Sequence, residues 1–100
     1  MKKLLLITIL AVMCMALLPP ALPSSFHGYT NLRIGQKVYA ISDGVRLTSF
    51  RTFDYNGQSV YSISIGNFKD GAIVYFVVNK IIVGQGVLHS GTSVRVDLEK

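Results

Sequence analysis

Between Lys37 and Leu98 apolar and polar residues alternate with the two-residue period of strands, and no stretch after Ser25 sets apolar residues at helical spacing. The alternating positions are filled by Val, Ile, Thr, Tyr and Phe, the types that fit a pleated surface. The pattern is broken at Asp43-Gly44, Asn56-Gly57, Asp70-Gly71 and Ser90-Gly91, and more weakly at Asn79-Lys80. These are two-residue hairpin signals, because glycine and asparagine tolerate positive φ. They predict strands near 37–42, 45–53, 58–66, 72–78, 81–89 and 92–98, with room for a seventh at 29–34. The expected fold is all-β: an antiparallel meander of six or seven short strands, closed as a small β-sandwich or a partly closed barrel.

A two-residue turn makes its flanking residues direct partners, and partners share a face. Asn56-Gly57 then pairs Phe50 with Ile63, Asp70-Gly71 pairs Ile65 with Phe76, Asn79-Lys80 pairs Phe76 with Val83, and Ser90-Gly91 pairs Val87 with Val94. One inward face results, carrying Tyr39, Ile41, Phe50, Tyr61, Ile63, Ile65, Val74, Phe76, Val78, Ile81, Val83, Val87, Val94, Val96 and Leu98, with Gln85 as its exception. In this register Gly84 lies opposite Tyr75, so the Gly84-Gln85-Gly86 glycines read as relief from crowding. No helix follows to make them a phosphate loop.

The opposite face mixes Leu47, Phe53, Val77 and Ile82 with Arg51, Ser62, Tyr75 and Arg95. If residues 39–98 form one curled sheet, these last four come together on an apolar field, and they are the expected partner-binding residues. Arginine and aromatic side chains dominate interface hot spots because each combines contact area with directional bonds. The competing expectation is that the apolar members form a second core layer. The segment Ala72–Val83 is apolar on both faces, which marks strands covered on both sides.

Composition changes the picture at the N-terminus. Met1-Lys2-Lys3 precedes an uncharged apolar run from Leu4 to Leu18, and Pro19-Pro20 ends it. That is the three-part pattern of an export signal, and the run is shorter than the roughly 20 residues of a membrane span. The expected organisation is a signal peptide over 1–25 and a single β domain over 26–100, secreted or periplasmic, with no membrane span after signal removal. Loss of Lys2 and Lys3 lowers the formal net charge from +5 to +3, and loss of Cys14 leaves no thiol. The domain is therefore disulfide-free and relies on packing alone.

Candidate chemistry is sparse. His27 and His89 are the only histidines, too few for a catalytic zinc without carboxylates of unknown position. No serine lies in a Gly-x-Ser-x-Gly elbow or a Ser-x-x-Lys motif. Asp43, Asp54 and Asp70 read as turn formers, while Asp97 and Glu99 read as a solvated edge. A charge of +3 spread over six strands makes no basic stripe, so nucleic acid is not expected as a partner. No cofactor, metal or catalytic residue is assigned. The chain reads as a non-enzymatic binding protein whose partner is another protein or a surface ligand, homo-oligomerisation being open. Behind it stand a structural subunit of a surface fibre or assembly and, third, a small hydrolase.

Overall fold

The computed structural model describes residues 22–100. Most of the expected signal peptide therefore lies outside the described residues. Eight strands form: β1 (Ser24–Tyr29), β2 (Lys37–Ser42), β3 (Val45–Arg51), β4 (Phe53–Tyr55), β5 (Gln58–Ile65), β6 (Ile73–Val78), β7 (Ile81–Val87) and β8 (Ser93–Arg95). They build two four-stranded sheets, ordered β4-β5-β1-β8 and β3-β2-β6-β7. The all-β class and the small sandwich hold.

The pairing is not a single meander. The hairpins at Asp43-Gly44, Asn56-Gly57 and Asn79-Lys80 close within a sheet, and in each both turn residues have positive φ. At Asp70-Gly71 and Ser90-Gly91 only the glycine does. A primed hairpin turn needs both. These two segments are instead corners where the chain passes between sheets, so β5 does not pair with β6, nor β7 with β8. A third crossing splits the expected strand 45–53 at Thr52. This threonine is buried and tied to the loop before β2: its Oγ1 donates to Arg33 O at 2.7 Å and accepts from Gln36 N at 3.0 Å.

The strand expected at 29–34 is absent. In its place β1 starts at Ser24, pairs antiparallel with β5, and pairs in parallel with β8. Ser24 is fully buried, and its hydroxyl accepts from His89 N at 3.2 Å. β1 therefore takes in Ser24 and Ser25, which precede residue 26, the expected start of the β domain.

Two β-bulges correct the expected inward face. Leu47 is an extra residue in β3, so Val38 rather than Lys37 faces Phe50. A one-residue slip turns every side chain over. Val38 and Ala40 are accordingly buried, while Tyr39 and Ile41 point outward. Val83 is the extra residue of β7, which puts Gly84 opposite Phe76 instead of Tyr75. Beyond the bulge Gly84, Gly86 and Leu88 face inward, and Gln85 and Val87 outward. Ile81, Val87 and Val94, expected in the core, are 47%, 44% and 42% exposed.

The core lies between the sheets and centres on Phe76, fully buried against Phe26, Phe50 and Tyr61 with ring centroids 5.5–5.9 Å away. The crowding around the β7 glycines comes from the facing sheet. A Cβ on Gly86 would meet the Phe26 ring, and one on Gly84 would meet Leu98.

Candidate functional site

The four expected binding residues divide between opposite outer faces, because the chain passes between the sheets at Thr52, at Asp70-Gly71 and again at Ser90-Gly91. Arg51 on β3 and Tyr75 on β6 lie on the face of β3-β2-β6-β7; Ser62 on β5 and Arg95 on β8 lie on that of β4-β5-β1-β8. The structure brings the second pair together around His27, which is opposite Ser62 on one side and Arg95 on the other. It separates them from Arg51 and Tyr75.

The outer face of β4-β5-β1-β8 is ordered in rows. Ser64, Ser25 and Ser93 form a polar row, with Ser25 and Ser64 hydroxyls 2.9 Å apart. Ser62, His27 and Arg95 form the next. Phe53, Val60 and Tyr29 form the third, and Tyr55 lies beyond it on β4. These aromatic residues border an open depression of about 360 Å³, lined by His27, Gly28, Tyr29, Phe53, Tyr55, Val60, Tyr61 and Arg95. Tyr29, Phe53 and Tyr55 remain 42%, 47% and 58% exposed, although each offers a large apolar surface.

Arg95 is held in place from two directions. Its Nε and Nη2 donate to the two carboxylate oxygens of Asp97, each at 3.2 Å, and its guanidinium lies 5.2 Å from the centre of the Tyr29 ring. Bidentate pairing fixes the plane of the guanidinium, and stacking on an aromatic face orients it further. Asp97 also accepts from Tyr29 N at 3.0 Å. The bond from Arg95, reinforced by that backbone amide, holds the Asp97 carboxyl below its ordinary range. The same bond raises Arg95.

The floor is tightly packed because β1 and the segment just after β8 approach very closely at Gly28. A Cβ there would stand 2.6 Å from Val96 O and 2.7 Å from Asp97 Oδ1, so only glycine fits. Beneath it the Tyr61 hydroxyl donates to Val96 O, and burial raises its pKa, with Asp97 adding a smaller push. The phenol therefore stays protonated as a donor.

No hydrogen bond joins His27 to Ser62, and Asp97 bonds Arg95 and Tyr29. Among the described residues, no three of His, Cys, Asp and Glu lie close enough to hold a metal ion. No described helix is long and apolar enough to cross a membrane. The aromatic members Tyr29, Phe53 and Tyr55 were not among the expected binding residues. Their signal was the Asn56-Gly57 hairpin, whose register already sets Phe53 and Tyr55 on one face with Val60. Compared with known proteins, the chain matches no protein-family model, no curated protein and no solved structure.

Proposed function

We propose that the protein is a small non-enzymatic binding protein, secreted or periplasmic, that captures a partner through the outer face of β4-β5-β1-β8. One observation carries the reading: three exposed aromatic rings converge with a pre-oriented arginine on a single depression. An exposed apolar cluster rimmed by polar groups is the usual mark of a recognition surface. Here the arginine's orientation is settled before binding, which lowers the ordering cost on association.

The test is partner capture from the native compartment by immobilised protein, followed by direct binding of the captured species. Phe53→Ser with Tyr55→Ser is expected to abolish binding without changing the melting curve, since both side chains are on a short, exposed edge strand. Arg51→Glu with Tyr75→Ser, on the far face, is expected to leave it intact. The reverse pattern overturns the assignment of the face.

A second reading, as a subunit of a surface assembly, draws on β7: it is an edge strand that exposes Ile81, Ile82 and Val87. Concentration-dependent polymerisation would favour it. A broad hydrolase screen on the same preparation tests for activity.

A further inference from the structure

The outer face of β3-β2-β6-β7 combines a cluster of like charges with an exposed aliphatic surface. Lys37 on β2 lies directly opposite Arg51 on β3, a like-charge pair that destabilises the ladder. Arg46 adds a third cation. Lys37 Nζ and Arg46 Cζ lie 5.4 Å and 5.3 Å from the centre of the same Tyr39 ring. Among the described residues no carboxylate lies within 4 Å of the charged nitrogens of Lys37, Arg46 or Arg51, so no acid offsets these three charges. The β6-β7 half of the same face is aliphatic: Ile73 and Val87 are cross-strand partners, each 44% exposed, and Ile82 is 58% exposed.

We infer that this face docks on an anionic phospholipid bilayer, with Lys37, Arg46 and Arg51 at the headgroups and Ile73, Ile82 and Val87 at the acyl boundary. A soluble polyanion would satisfy the cations and leave the aliphatic half wet. An apolar protein partner would bury the aliphatics beside three uncompensated charges. An anionic membrane surface meets both demands at once, since basic residues gain from the surface potential while apolar side chains enter the interface. Tyr39 sits among the cations with an amphipathic ring suited to headgroup depth. The inference concerns the face opposite the proposed capture site and stands or falls separately from it.

The experiment is vesicle co-sedimentation of the exported chain, its N-terminus fixed by intact mass. Phosphatidylcholine vesicles are compared with vesicles that also contain phosphatidylglycerol. Binding is expected only to the second and is expected to weaken as salt rises, because the Debye length shrinks from about 10 Å at 0.1 M to about 3 Å at 1 M. Lys37→Ala with Arg46→Ala should lower partitioning about 30-fold, since each basic residue near the surface contributes roughly fivefold. Neither side chain makes a hydrogen bond in the fold, and removing Lys37 relieves its repulsion with Arg51, so the melting curve is expected not to fall. Ile82→Ser should lower partitioning about tenfold. Equal binding to both vesicle types overturns the inference, as does failure to bind either. Binding of polyphosphate or an oligonucleotide, combined with vesicle partitioning indifferent to Ile82→Ser, overturns it in favour of a soluble anionic ligand.

Discussion

A single methyl group placed on Gly28 tests the least expected feature of the fold, the parallel contact of β1 with β8. The added Cβ would stand 2.6 Å from Val96 O, 2.7 Å from Asp97 Oδ1 and 2.9 Å from Val96 C. Two of those atoms are backbone and cannot rotate away. β1 cannot retreat either, because Gly28 is paired with Tyr61 on its other side. β8 has to move outward. That motion loosens Val96 N to His27 O at 2.9 Å and Leu98 N to Tyr29 O at 3.0 Å, the bonds that hold the segment after β8 to β1. Overpacking costs about 1–3 kcal/mol and each weakened bond up to about 1 kcal/mol, offset by the roughly 0.5–1 kcal/mol that alanine gains over glycine in a strand. The net expectation for Gly28→Ala is a loss of about 2–3 kcal/mol. With a urea slope of about 1 kcal/mol/M for a small domain, the midpoint falls by about 2–3 M. Gly66→Ala is the control: nothing lies within 4 Å of its Cβ, and its φ is not positive. It should leave the midpoint unchanged or raise it slightly. Equal midpoints for the two variants would refute the close β1–β8 approach.

Phe76→Ala removes the ring at the centre of the core and should cost about 4–5 kcal/mol, whereas Ser62→Ala on the outer face should be nearly silent; urea midpoints compare them. Asp97 has a folded pKa below its ordinary 3.8, so its contribution is present above that value and disappears as pH falls through the lower, folded one. The melting difference between wild type and Asp97→Asn, measured against pH, is therefore expected at neutral pH and should close in strong acid. If the N-terminal run is cleaved as an export signal, the mature chain is expected to begin no later than Ser24, because the buried Ser24 Oγ accepts a hydrogen bond from His89 N at 3.2 Å. Intact mass decides this, and a chain starting at Phe26 contradicts it.

The class of fold was legible because hairpins within a sheet are local events. Asn56-Gly57 and Asp43-Gly44 carry their own φ preferences, and β4-β5 and the start of β2-β3 follow from them. What was not legible is what a dipeptide cannot report. Asp70-Gly71 and Ser90-Gly91 look like hairpins, but whether the next strand returns to the same sheet depends on what the apolar faces find across the core. Bulges are equally hidden: the extra residues Leu47 and Val83 leave the alternation locally plausible while inverting Tyr39, Ile41 and Val87. Gln85, the one polar residue on the expected inward face, was the sign that the register of β7 slips. Of the four expected binding residues, Arg95 and Ser62 share one outer face and Arg51 and Tyr75 lie on the other; all four were grouped because a single sheet was assumed. β1 was missed since Ser24 to Tyr29 adjoins the expected signal peptide, and only Phe26 and Tyr29 among its six residues are strand formers, the rest being serine, histidine and glycine.

The two outer faces also differ in what their cations are free to do. Arg95 already shares its charge with Asp97, so an incoming group there meets a neutralised, oriented donor and gains contact more than Coulombic attraction. Lys37, Arg46 and Arg51 share theirs with no acid, and any partner they engage must supply the negative charge. Salt therefore separates the faces. Capture at the Tyr29, Phe53 and Tyr55 depression should change little with ionic strength, since aromatic burial is not screened. Association through the Lys37 and Arg46 face should weaken steadily as the screening length shortens. Partner capture and vesicle binding measured on one preparation across a salt series would show whether the faces act independently. If both decline in parallel, the independence of the two faces is wrong, and Arg95 acts as a free cation despite its bond to Asp97.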